Sequence, residues 1–149
     1  PEIMKTLRTI LLAEDNPQDV ELTVEALEEF NLANSIISVG DGVEVMDYLN
    51  CTGRFANRST ELPSVILLDI KMPRMDGIQV LEQLRSDNRF CKIPVVMLTS
   101  SREEPDLKRC YALGVNAYVV KPVNFEDFIA AVKNIGIFWA LLNELPTEY

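Results

Sequence analysis

The stretch VILLDI at residues 65–70 is an apolar run interrupted only by Asp69. A run of this length without polar alternation is typical of a strand buried on both faces of a parallel sheet. Four more short strands are predicted along the chain. They lie at residues 7–13 (LRTILLA), 35–39 (SIISV), 94–98 (PVVML) and 117–120 (AYVV). Amphipathic segments follow all five runs, so the sequence predicts five strands that alternate with five helices, the fourth helix over residues 102–113.

This alternation indicates right-handed crossover connections and therefore a parallel sheet with helices on both faces. Five strands are too few for an eight-stranded barrel, which typically needs about 250 residues. We therefore predict an open, doubly wound α/β sandwich, and the 149 residues suit one domain of this kind.

Composition and charge exclude several classes of function. The chain has 14 Lys and Arg residues against 23 Asp and Glu residues, and this net charge of −9 disfavours nucleic-acid binding and attraction to an anionic membrane. It has no histidine, which excludes a serine–histidine pair and a histidine-bound metal within the chain. Three widely spaced cysteines indicate reduced thiols and a cytoplasmic protein, and no apolar run reaches the roughly 18 residues of a membrane helix.

Polar residues follow the predicted strands at their carboxyl ends, where doubly wound sheets carry their functional sites. They are Glu14 and Asp15 after the first strand, Asp69 at the end of the third, Thr99 after the fourth and Lys121 after the fifth. Each carboxylate alone is better explained as a turn or capping residue. Together they favour a site for Mg²⁺, because a hard cation with oxygen ligands relieves both the burial of charge and the mutual repulsion.

Such a site is suited to phosphoryl transfer, a reaction that depends mainly on positioning and on stabilisation of charge. Asp69 could be the nucleophile, because carboxylates form aspartyl phosphates. Lys121 and the Thr99 hydroxyl could each hold a phosphoryl oxygen. A solvated loop lysine and a strand-end turn residue explain these two positions equally well.

Four motifs occur in the order and at the spacing of a known family. They are ILLAEDN at 10–16, VILLDIKMPRMDG at 65–77, VVMLTSS at 95–101 and YVVKP at 118–122. With them the chain resembles a response-regulator receiver domain over residues 7–138, and residues 139–149 form an extension. The resemblance implies a flavodoxin-like (βα)5 fold with the strand order 2-1-3-4-5. It also implies a two-component phosphorelay protein that takes its phosphoryl group from a phosphohistidine of a sensor kinase.

The resemblance implies roles for the acidic residues. Asp69 resembles the phosphoacceptor, and Asp15 resembles the direct ligand of Mg²⁺, a position that Mn²⁺ can also take. Glu14 is expected to reach the metal through a water, and the backbone carbonyl of Lys71 is the third protein ligand. A receiver of this kind phosphorylates and dephosphorylates itself and is not an enzyme for an external substrate.

The remaining motif residues resemble the parts of a conformational switch. Thr99 matches the hydroxyl that moves toward the phosphoryl group, and Tyr118 matches the aromatic residue that then turns inward. Without the resemblance, Tyr118 is a partly buried aromatic residue of a strand. Lys121 matches the lysine that pairs with the phosphoryl group, and Lys121–Pro122 matches the family's cis peptide.

The loop at residues 51–63 and the ending FWALLNELP are similar to stand-alone regulators paired with phytochrome kinases of cyanobacteria and other bacteria. This implies a phytochrome-like sensor histidine kinase as partner and a homodimer through the fourth helix, fifth strand and fifth helix. The candidate interface residues are Phe138, Trp139, Leu142 and Leu145. Alternatively, these residues only extend the last helix over the core.

Other classes remain as alternatives. Phosphatases that form an aspartyl phosphate carry the motif D-x-D, in which the first Asp is the nucleophile and the second is a general acid. In this chain Lys71 occupies the position of the second Asp. A flavodoxin-type FMN binder needs a hydroxyl- and glycine-rich loop where this chain has Glu14 and Asp15. A purely structural pseudo-receiver does not explain the complete acidic set. The absence of histidine means that a phosphohistidine donor must lie on another molecule.

Overall fold

A computed structural model describes residues 9–28, 35–115 and 117–134. One parallel sheet forms the centre of the fold, with its strands in the order β2-β1-β3-β4-β5. The strands are β1 (Thr9–Ala13), β2 (Ser35–Val39), β3 (Val65–Asp69), β4 (Val95–Thr99) and β5 (Tyr118–Val120). The predicted fold class and strand order are confirmed.

Helices follow the strands in alternation. They are α1 (Pro17–Glu28), α2 (Gly42–Asn50), α3 (Gly77–Arg85), α4 (Leu107–Ala112) and α5 (Phe125–Asn134), with a 3₁₀ turn at Gly53–Phe55 in the loop after α2. Within the described ranges, no helix is long and apolar enough to span a membrane.

The start of α4 differs from the prediction, which placed it near residue 102. The structure has turns up to Asp106, and the helix begins only at Leu107. Pro105 disfavours the helical conformation in the residue before it. In addition, the carboxylate of Glu104 accepts a hydrogen bond from the backbone N of Asp106 at 3.2 Å, which stabilises a local turn in place of the helix.

The alternating side chains of the strands enter two apolar layers, one on each face of the sheet. Leu11 and Leu68 are buried with α2, α3 and α4 on one face, whereas Leu12 and Leu67 are buried with α1 and α5 on the other. This burial on both faces explains why the strand sequences are nearly continuous apolar runs. Because all strand pairs are parallel, the carboxyl ends of the strands lie at one edge of the sheet.

Asp41 caps the first turn of α2, so its substitution is expected to lower the stability of the protein. Its Oδ1 accepts a hydrogen bond from the backbone N of Glu44 at 2.9 Å, and its Oδ2 pairs with Arg74 Nε at 2.8 Å. We expect Asp41→Ala to lower the free energy of unfolding by about 1–2 kcal/mol, because the N–H of Glu44 loses its partner. Asp41→Asn retains a capping oxygen and should cost less than half as much in denaturant titrations. Equal losses for the two variants would contradict this role.

Candidate functional site

The carboxyl ends of four neighbouring strands form a polar cavity of about 250 Å³. Glu14 follows β1, Asp69 is the last residue of β3, Thr99 is the last residue of β4 and Lys121 follows β5. All four residues line the cavity together with Asp15. The structure therefore brings together the strand-end residues that the sequence singled out.

Three carboxylates of this cavity lie close enough to share one metal ion. Glu14, Asp15 and Asp69 each offer an oxygen, and these oxygens all lie within 4.8 Å of one another. Glu14 and Asp69 are buried, with 2% and 4% of their surface exposed, whereas Asp15 is exposed. A set of oxygen donors open to solvent on one side fits a hard divalent cation that retains several waters.

The burial of Glu14 changes its protonation. Loss of solvent raises the pKa of its carboxyl to about 7, and the neighbouring Asp69 carboxylate contributes to the rise. The hydrogen bond that the backbone N of Asn16 donates to Glu14 Oε2 at 3.1 Å opposes this effect, as does Lys121. Glu14 is therefore partly protonated near neutral pH in the absence of a cation.

Lys121 is the cation of the cavity. Its Nζ donates hydrogen bonds to Asp69 Oδ2 at 2.9 Å and to Glu14 Oε1 at 3.0 Å, and it lies 3.3 Å from Asp19 Oδ2. Burial alone would lower the pKa of Lys121, but the hydrogen bonds to the two buried carboxylates hold this pKa above its usual range. The Lys121–Pro122 peptide is cis.

Lys71 contacts the site through its backbone. Its N–H donates to Asp69 Oδ1 at 3.2 Å, so that each oxygen of this carboxylate has a hydrogen-bond donor. The Lys71 side chain points outward and pairs with Glu104 at 3.8 Å. The role of the Lys71 carbonyl as a metal ligand stays a prediction.

Thr99 and Tyr118 share one face of the sheet, because Tyr118 pairs with Met97 and Thr99 lies two residues after Met97. Thr99 is buried beside the acidic cavity, and its hydroxyl donates to the Ser101 carbonyl at 2.9 Å. Tyr118 does not line that cavity. Its ring makes an edge-to-face contact with Tyr111, with 6.5 Å between the centroids. The Thr99 hydroxyl is thus turned to the backbone of Ser101, and the Tyr118 ring lies toward α4.

Two charged residues of the cavity were not predicted from the sequence. Asp19 reaches Lys121 from the first turn of α1, and Glu104 pairs with Lys71 from the segment before α4. Asp19 could have been found, because Asn16 and Pro17 signal the start of a helix and therefore place the next turn beside the strand ends. The four candidate interface residues lie outside the described residues. They are Phe138, Trp139, Leu142 and Leu145.

Comparison with known proteins gives matches that span most of the chain. Residues 10–133 match the family model described as the response regulator receiver domain. The chain is 35% identical over 139 residues to response regulator Rcp1 of Synechocystis, and the aligned region covers 93% of each chain. It is 37% identical over 137 residues to the probable methanogenesis regulatory protein FilR2 of Methanothrix harundinacea, which covers 92% of this chain and 86% of that protein.

Solved structures give a consistent result. The bacteriophytochrome response regulator AtBRR has a TM-score of 0.85 and 56% identity, with 92% of this chain and 98% of that chain covered. The phosphorylated cyanobacterial phytochrome response regulator RcpA has a TM-score of 0.73 and 39% identity, covering 94% and 99%. The Mn²⁺-bound form of Rcp1 has a TM-score of 0.72 and 35% identity, covering 94% and 99%.

Proposed function

The chain belongs to the response-regulator receiver domain family, and from this premise we propose that Asp69 accepts a phosphoryl group from a phosphohistidine of a partner sensor kinase. The observation that carries the proposal is the contact between Lys121 Nζ and Asp69 Oδ2 at 2.9 Å. This contact lies in the cavity at the carboxyl end of the buried strand β3. A buried carboxylate with an ammonium group beside it is suited to receive and neutralise a phosphoryl group. None of the 149 residues is a histidine, so the donor is not among them.

The transfer itself is a displacement at phosphorus. A carboxylate oxygen of Asp69 forms the new bond to phosphorus, the nitrogen–phosphorus bond of the donor breaks, and the released imidazole nitrogen takes up a proton. Lys121 then neutralises a phosphoryl oxygen from within the same cavity. Glu14, Asp15, Asp69 and the Lys71 carbonyl would hold Mg²⁺, which supplies positive charge against the phosphoryl oxygens. The protein acts on its own phosphoryl group and on no external substrate.

The switch that follows involves Thr99 and Tyr118. The Thr99 hydroxyl exchanges the Ser101 carbonyl, now at 2.9 Å, for a phosphoryl oxygen. Tyr118 then turns inward, away from its present contact with Tyr111. A cavity of about 380 Å³ borders both tyrosines and the segment before α4.

The partner we propose is a phytochrome-like sensor histidine kinase in the cytoplasm. The likeness to regulators described as bacteriophytochrome and cyanobacterial phytochrome response regulators supports this kind of kinase. The three free cysteines support the cytoplasm as the compartment. The net charge of −9 disfavours nucleic acid and anionic membranes as partners. The comparisons give the phosphatase alternative no support.

Incubation with acetyl phosphate and Mg²⁺ tests the proposed function. We expect the intact mass to rise by one phosphoryl group, and a chelator added beforehand to prevent the rise. Subsequent treatment with hydroxylamine should remove the label, because it cleaves acyl phosphates. A mass that stays unchanged in the presence of Mg²⁺ would refute the proposal, and so would labelling that the chelator does not reduce.

The affinity for Mg²⁺ is expected to depend on pH. Because burial raises the pKa of Glu14 to about 7, a proton competes with the cation below neutral pH. The affinity for Mg²⁺ should therefore rise with pH, by about tenfold between about pH 6 and about pH 8. Calorimetric titration with Mg²⁺ measures this effect. Glu14→Gln should bind more weakly with a flat profile over this range, and a slope that survives in this variant would contradict the assignment.

Self-association through the α4–β5–α5 face is a further part of the proposal. Tyr111 on α4 is 48% exposed and borders a cavity of about 260 Å³ that β5 and α5 also line. We expect the chain to form a dimer in sedimentation velocity and Tyr111→Glu to shift it toward the monomer. Leu22→Glu, at a comparably exposed apolar position on α1, is the control. A monomer at high concentration, with or without phosphorylation, would exclude the dimer.

A further inference from the structure

The first turn of α1 directs an additional carboxylate at Lys121. Asn16 caps this helix, and its Oδ1 accepts hydrogen bonds from the backbone N of Gln18 at 2.8 Å and of Asp19 at 3.2 Å. A glutamate or glutamine at this position, three residues after the cap, often bonds back to the N–H of the cap. Here that N–H donates to Glu14 Oε2 at 3.1 Å, so the Asp19 carboxylate extends to Lys121 Nζ at 3.3 Å.

The three carboxylates around Lys121 differ in what else they can bind. Glu14 and Asp69 belong to the cluster that could hold a metal ion, whereas Asp19 lies outside that cluster as the described residues define it. A divalent cation and the ammonium group therefore compete for the same two carboxylates. The Asp19 carboxylate is open to the ammonium group in either case, and 28% of its side-chain surface is exposed.

We propose that Asp19 is a positioning residue, which keeps a carboxylate on Lys121 when a divalent cation takes Glu14 and Asp69. The displaced ammonium group then retains a charged partner at the mouth of the cavity, and its displacement costs less. Asp19 thereby favours binding of the cation without being a ligand. The inference rests on the proposed function only in treating the acidic cluster as a cation site.

Titration of the full chain with Mg²⁺ alone tests this role. We expect Asp19→Asn to weaken binding at least about threefold more than Glu21→Gln, which removes one negative charge from an exposed position on the same helix. In the background of Lys121→Met, which removes the competing ammonium group, the effect of Asp19→Asn should shrink to that of the control. Isothermal calorimetry of the single and double variants gives the coupling between the two residues.

Two outcomes would overturn the inference. An equal loss from Asp19→Asn with and without Lys121 would mean that only its charge acts on the cation, and a loss no larger than that of Glu21→Gln would mean that it has no role. Asp19→Ser is the second variant if Asp19→Asn does not keep the circular dichroism of the parent. Failure of the proposed function is distinguishable, because it would leave Asp69 unlabelled while the coupling in Mg²⁺ binding remained.

Discussion

Asp69→Asn is expected to abolish phosphoryl labelling from acetyl phosphate in the presence of Mg²⁺. The amide has nearly the same volume as the carboxylate, so the buried end of β3 keeps its packing, but it is not a nucleophile toward phosphorus. Lys121 keeps Glu14 at 3.0 Å and Asp19 at 3.3 Å, so the ammonium group retains its place in the cavity. The loss is therefore a loss of chemistry, to be measured as the missing mass of one phosphoryl group.

Asp76→Asn is the matched control, because it is the same substitution in the loop that follows Asp69. Asp76 caps α3 by accepting a hydrogen bond from the backbone N of Gln79 at 2.9 Å, a role that asparagine also performs. It does not line the acidic cavity. Full labelling is expected for this variant. Equal labelling of Asp69→Asn and Asp76→Asn would show that the acceptor is a different residue.

The fold could be predicted from the sequence to a large extent, because burial on both faces makes each strand an apolar run. Residues 65–70 carry this signal most clearly, and the structure has β3 at Val65–Asp69 with every residue buried. The start of α4 could not be placed, because the region from Arg102 to Leu107 depends on a local competition. There, the Glu104 side chain and Pro105 favour a turn over a helical start that the apolar pattern alone permits.

The candidate site could be predicted in its composition but not in its contacts. Parallel strands end at one edge, so the convergence of Glu14, Asp69 and Lys121 follows from the strand assignment. The sequence does not give the partner of the Thr99 hydroxyl, because that depends on a side-chain rotamer. It also does not show that Asp19 reaches Lys121, because this contact depends on the side-chain conformations of both residues.

The position of Asp69 depends on a close backbone contact at the start of α3, where Gly77 lies against the end of β3. The backbone N of Gly77 donates to the Ile70 carbonyl at 2.9 Å, which closes the loop between the strand and the helix. A Cβ atom at Gly77 would lie 2.2 Å from the carbonyl oxygen of Asp69 and 2.9 Å from the Cα of Ile70. Both are backbone atoms, so neither can move aside by changing a rotamer.

Gly77→Ala is therefore expected to lower the free energy of unfolding by about 3 kcal/mol and to slow labelling at Asp69. Alanine favours the helix more than glycine does, so a loss can come only from the contact with β3. Gly40→Ala is the control, because its Cβ would lie 3.8 Å from Glu44 Oε1, the end of a flexible side chain. Denaturant titrations should show a change of less than about 1 kcal/mol there. Similar small changes in both variants would mean that the end of β3 yields to the added methyl group, and that the backbone around Asp69 is not held by this contact.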